Sequence, residues 1–134
     1  MADISKTTGV KASYADLEPM PWQTIGGIQC GEAIASGDVC YIKNSDNMIY
    51  RSVGTAANAA AKARGMCMLD TPQYEVCTIV HHIAIRYGNG LAAGGNIFVG
   101  AAAGAIADAA TTGGSAAIGF MIDDEVLYFE GSSY

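Results

Sequence analysis

From Gly26 onward, short runs of β-forming residues alternate with glycines and with clusters of polar turn residues, and this punctuation constrains the fold more than any other feature. The 17 glycines are about 13% of the 134 residues, against a usual share of roughly 7%. Such a chain suits short strands joined by tight turns better than a helical bundle. A Ser36-Gly37-Asp38 turn leads into a strand over Val39–Ile42, and five polar residues at 43–47 turn the chain into a return strand over 48–53. Strands follow over 65–69 and 75–80, with Asp70-Thr71-Pro72-Gln73 as the turn between them. Residues 81–87 continue that strand or form the next one, and further strands are expected at 97–99, 119–122 and 125–130. The tail over 131–134 is expected to fray.

One stretch reads differently. Residues 55–64 (TAANAAAKAR) predict a short helix. Alanine has the best helix propensity, Thr55 can cap the start, Lys62 and Arg64 suit the C-terminal dipole, and Gly65 stands at the C′ position. The chain also echoes itself. Residues 91–99 repeat the order of 34–42: an apolar residue, small residues, glycine, Asp or Asn, then a β-rich run. Gly119-Phe120-Met121-Ile122 likewise echoes Gly65-Met66-Cys67-Met68. The reading is one strand-turn-strand unit used twice around a shared core. The expected fold is all-β, a compact small barrel or sandwich of roughly eight to ten short strands with one short helix.

Residues 1–25 differ from the β-rich domain over 26–134. They mix charged and hydroxyl residues and end in Glu18-Pro19-Met20-Pro21-Trp22. Two prolines in that spacing force an extended path, so an N-terminal arm is expected. Trp22 either anchors that arm on a partner or caps the chain's own core.

Composition narrows the function. With 51% apolar and 15% charged residues the chain can bury a core and is not a disordered polymer. A net charge of −6, with Lys6, Lys11, Lys43, Arg51, Lys62, Arg64 and Arg86 scattered, argues against a nucleic-acid partner. Residues 91–107 are the most apolar stretch, but glycines and Asn96 interrupt them short of the ~20 apolar residues a membrane span needs, so no membrane partner is expected. Cys30, Cys40, Cys67 and Cys77 lack CxxC spacing, and the N-terminal residues have no apolar signal region. The thiols are therefore expected to be reduced and packed as small hydrophobes.

Reactive motifs are scarce. His81 and His82 are adjacent, and neighbouring strand residues point to opposite faces, so a shared metal or substrate is not expected. Asp123-Asp124-Glu125 reads as a solvated turn without the glycine and ligand spacing of a calcium loop. There is no Gly-x-Ser-x-Gly elbow, Walker sequence or GxGxxG. No cofactor, metal or enzymatic activity is expected.

The segment Gly31-Glu32-Ala33-Ile34-Ala35-Ser36-Gly37-Asp38-Val39-Cys40-Tyr41-Ile42 resembles the opening of the small capsid decoration (cement) proteins of tailed bacteriophages. The resemblance continues through Asn47-Met48-Ile49-Tyr50, the Ala-rich stretch 59–68, residues 88–98, Ala103-Gly104-Ala105-Ile106 and 118–122, covering about residues 26 to 129. The chain departs from that pattern at His81 and His82, where Val/Thr-type residues are usual, and in its arm, which has no clear counterpart. The resemblance implies a structural virion protein, made in the host cytoplasm, that binds the major capsid protein on the outer shell as a trimer or other small oligomer. On that reading Met20, Pro21 and Trp22 are the candidate capsid contacts. The alternative is another virion surface element, such as a head-fibre base or a carbohydrate-binding module that uses some of the seven tyrosines.

Overall fold

The structure, a computed structural model, describes Ile4, Lys11, Ala12, residues 21–88 and residues 90–132. Its strands are β1 Lys11–Ala12, β2 Thr24–Gln29, β3 Val39–Ile42, β4 Ile49–Arg51, β5 Gly65–Cys67 and β6 Val76–Val80, followed by β7 Ile83–Arg86, β8 Asn96–Val99, β9 Ile106–Ala107, β10 Gly119–Met121 and β11 Val126–Phe129. They form two antiparallel sheets, ordered β2-β6-β5-β3-β4 and β1-β7-β11-β10-β8-β9. The fold is therefore mainly β and sandwich-like, as the turn punctuation predicts, and it is not a closed barrel.

The echo in the sequence is an echo in topology. With β1 set aside, the five strands β7 to β11 take the same spatial order as β2 to β6. Registers agree as well. Val39 faces Met66 and Cys40 faces Gly65 in the first sheet, and the counterparts Asn96 and Ile97 face Phe120 and Gly119 in the second. The turns that launch β3 and β8 share one backbone form, with Gly37 at φ 89 and Gly94 at φ 85. In each, the next residue donates to an alanine carbonyl at 3.0 Å, Asp38 to Ala35 and Gly95 to Ala92. Glycine suits both positions because side chains rarely adopt a left-handed backbone.

Equivalent positions meet different surroundings. Cys40, Ile49, Cys67 and Ile79 enclose a smaller core with Cys30, Ile34 and Cys77. Their counterparts Ile97, Ile106, Met121 and Leu127 line a larger one, to which Val39, Met66 and Val80 contribute from the opposite face of the first sheet. The central strands β3 and β5 are thus buried on both faces where they pair, and they carry no alternating polar residue, whereas β2 and the first half of β6 stay exposed on the outer side. It also curls: Cys30, just past β2, bridges to Ile49 on the far edge strand. Inside the curl Gly65 lies against Ile79, where an added Cβ would come within 2.7 Å of that side chain.

The expected α-helix over 55–64 is absent. Helical geometry there is limited to a 3-10 turn, Ala59–Ala61, capped by Asn58 rather than Thr55. The backbone groups a helix would have used bond elsewhere: Ala60 O accepts from Val53 N, Arg64 N donates to Cys40 O, and Lys62 O accepts the Ser52 hydroxyl at 2.6 Å. Packing has overridden propensity in a segment too short to hold itself. The tail is pinned rather than frayed as far as Ser132, which donates to Ala63 O at 2.7 Å and accepts from Ala63 N through its hydroxyl. Residues 91–107 form two strands and their turns, and among the described residues no helix is long and apolar enough to cross a membrane.

Most of the arm over 1–25, including Met20, lies outside the described residues. Ile4 donates to Ile106 O at 2.8 Å, and Lys11 and Ala12 pair with Arg86 and Ile85. These contacts place Ile4 and the Lys11–Ala12 strand at opposite edges of the chain's own second sheet, while residues 21–25 form a 3-10 turn and the start of β2 in the first.

Candidate contact surface

The strands β2 and β6 build the most distinctive surface. Among the described residues, β2 pairs with β6 alone and ends its sheet. Cys77 and Ile79 of β6 point into the small core, so the alternation of a strand sends Val76 and Thr78 outward. Gly26 lies over Thr78 on the same side, where an added Cβ would stand 3.3 Å from the Thr78 hydroxyl. At one end of the β2–β6 ribbon a 3-10 turn, Pro21–Gln23, carries Trp22, and at the other lies Tyr74; Leu69 follows the end of β5. Trp22 is 64% exposed, Leu69 75%, and Tyr74 and Val76 60% each. Pro21 is exposed beside Trp22, so of the two readings of that tryptophan the core cap is excluded.

Backbone strain holds both ends of the stripe. Tyr74 sits at φ 73 and His82 at φ 53, a left-handed conformation that is uncommon for a bulky side chain. Tyr74 is kept there by hydrogen bonds on either side: its N–H donates to Cys30 O at 2.7 Å, and its carbonyl accepts from the Gln29 side chain at 3.0 Å. At the other end His81 N donates to Gln23 O at 2.9 Å, and the Gln23 side chain donates to His82 O at 2.7 Å.

That second clamp corrects the reading of the histidines. His81 and His82 do not lie in a strand. They form the two-residue junction between β6 and β7, where the chain leaves one sheet for the other. The left-handed turn at His82 brings the two rings to one side, with Nδ1 to Nδ1 at 2.7 Å. Burial, and the neighbouring His82, push the His81 imidazole below its ordinary value. The Trp22 ring lies 6.1 Å from that of His82, centroid to centroid.

Other polar groups are committed locally. On the β3–β4 hairpin the Tyr50 hydroxyl donates to the Asp46 carboxylate at 2.5 Å, which pushes the phenol up to about 12, and Lys43 sits 4.7 Å from the ring centroid. Asp123 accepts from Glu125 N and Val126 N at 2.8 Å, a turn-closing role that holds its carboxyl below the usual range. The four thiols are free and buried, with Cys67 and Cys77 Sγ at 3.3 Å. Burial and neighbouring thiols push Cys40 well above the ordinary value, which marks it as unreactive. Among the described residues no group of three or more His, Cys, Asp or Glu side chains could hold a metal ion.

Trp22 and Pro21 therefore belong to the surface, whereas Tyr74 and Val76 were not foreseen as part of it. The alternation of apolar residues across 76–80 was the available signal for Val76. No protein-family model matches the chain, and no curated protein matches it.

Proposed function

We propose that this chain is a structural virion protein that binds the outer face of a phage capsid and stabilises the shell. The observation that carries the reading is the exposed stripe of Val76 and Thr78 on β6, flanked by exposed Trp22 and Tyr74 at the two ends of the β2–β6 ribbon, with β2 as the edge strand among the described residues and hydrogen-bonded, left-handed backbone at either end. Exposed aromatic and aliphatic residues on a rigid sheet are the anchors that contact surfaces use, and an open edge strand can add main-chain hydrogen bonds to a partner. The resemblance of the sequence motifs over residues 26 to 129 to the small capsid decoration proteins of tailed bacteriophages supports the same class. Many copies on one shell make a modest contact sufficient through multivalency, and a small oligomer, a trimer by preference, multiplies it.

The test is co-sedimentation of the purified protein with phage heads. Expected is saturable attachment that Trp22→Ala and Tyr74→Ala each weaken while the urea midpoint stays within a few tenths molar. Attachment untouched by both substitutions refutes the stripe as the contact. Failure of the unaltered protein to attach, together with its absence from parent virions, refutes the capsid role.

A further inference from the structure

We infer that His81 and His82 form a bidentate site for a divalent transition metal that favours right-angled N–metal–N geometry, Ni(II) or Cu(II), at the junction between the two repeats. The two Nδ1 atoms stand 2.7 Å apart. Imidazole nitrogens bind such metals at about 2.0–2.1 Å, so two ligands at a right angle are separated by roughly 2.9 Å and two at a tetrahedral angle by roughly 3.4 Å. The pair thus needs to open by only a few tenths of an ångström for tetragonal coordination, and by about three times as much for tetrahedral zinc.

The spacing is set by the fold. The backbone on either side is tied to Gln23, through His81 N and His82 O, and the left-handed turn at His82 turns the rings toward each other. His82 is exposed and His81 partly so, which leaves the remaining coordination positions to water. Without metal, one Nδ1–H donates to the other Nδ1. When the metal enters, the donating ring shifts its proton to Nε2, its other neutral tautomer, and both Nδ1 lone pairs turn to the ion. Neutral rings therefore bind with no net proton release. No redox step is involved.

The chain carries its own reporter, since its single tryptophan lies against His82. Nickel chloride is the probe, because thiols can reduce Cu(II). Titration of the full chain should quench Trp22 fluorescence saturably and EDTA should restore it, with Zn(II) competing no better than Ni(II). His82→Asn keeps a residue that tolerates the left-handed turn and removes one ligand. It should weaken Ni(II) binding by at least the roughly 10–100-fold that loss of a mere outer-shell partner costs, and His81→Ala should do the same. Calorimetric titration of both variants, checked for an unchanged urea transition, supplies a second readout. Quenching no greater than that of free tryptophan amide, equal binding by either variant, or tighter binding of Zn(II) than Ni(II) overturns the assignment.

Discussion

Replacing Tyr74 by glycine and, separately, by alanine tests whether its backbone is strained. Both substitutions remove the ring, which is 60% exposed, so its contacts cancel from the comparison. What differs is the backbone. At φ 73 a residue with a Cβ bears a penalty of about 1–2 kcal/mol that glycine escapes. Glycine in turn loses about 0.5–1 kcal/mol more conformational entropy on folding than alanine does. The balance leaves Tyr74→Gly more stable than Tyr74→Ala by about 0.5–1 kcal/mol, whereas at an ordinary extended position the order reverses. With an unfolding entropy of roughly 2.1 cal/mol/K per residue over 134 residues, the two melting temperatures should differ by about 2–4 °C. Urea titration at constant m value and scanning calorimetry both read this difference. An alanine variant as stable as the glycine variant, or more so, refutes the strain. On the proposed contact through the Tyr74 ring, both variants should weaken capsid attachment alike.

Three further outcomes follow from packing and titration. Thr111 is buried, and its hydroxyl donates to Val99 O and accepts from Gly114 N, each at 3.0 Å; Thr111→Val should cost about 1–3 kcal/mol in urea denaturation, with Thr111→Ser largely spared. Gly119 lies between β8 and β11, where an added Cβ would strike the Tyr128 carbonyl oxygen and stand 3.1 Å from Ile97 Cδ1, so Gly119→Ala should destabilise by at least about 1–3 kcal/mol in the same assay. The imidazole of His81 is held below its ordinary value of 6.5 in the folded state, so as pH falls through 6.5 the unfolded chain takes up the proton first and stability declines. Above that pH its contribution is flat, and His81→Asn should remove the slope seen between pH 6.5 and 5 in chemical denaturation.

Much of the architecture was legible because turn residues act locally. The Ser36-Gly37-Asp38 turn, the polar reversal at 43–47 and strand β3 fall where short-range chemistry places them. The doubling of the unit was legible too, since the same small-residue turn launches β3 and β8. The stretch over 55–64 misleads for the opposite reason: its alanines favour a helix in isolation, but its backbone is claimed by partners distant in sequence, Ala63 by Ser132 and Arg64 by Cys40. The histidine pair misleads because strand alternation was extended across a junction where the chain leaves its sheet.

Sequence alone determined that the chain is β-rich, built from two like units, with its turns at the glycines and polar clusters. Those properties arise from conformational preferences of adjacent residues and need no knowledge of the rest of the molecule. Tertiary structure alone decided which copy of each repeated position is buried. Met66 sits within the larger core while its counterpart Phe120 is 44% exposed, although both occupy the middle of equivalent strands. The second sheet covers Val39, Met66 and Val80 on the outer face of the first, while Phe120 on its own outer face stays exposed, and no local pattern encodes that asymmetry. The proposed contact surface has the same origin: Trp22 and Tyr74 flank one two-stranded ribbon only because β2 pairs with β6 across some fifty residues of intervening chain.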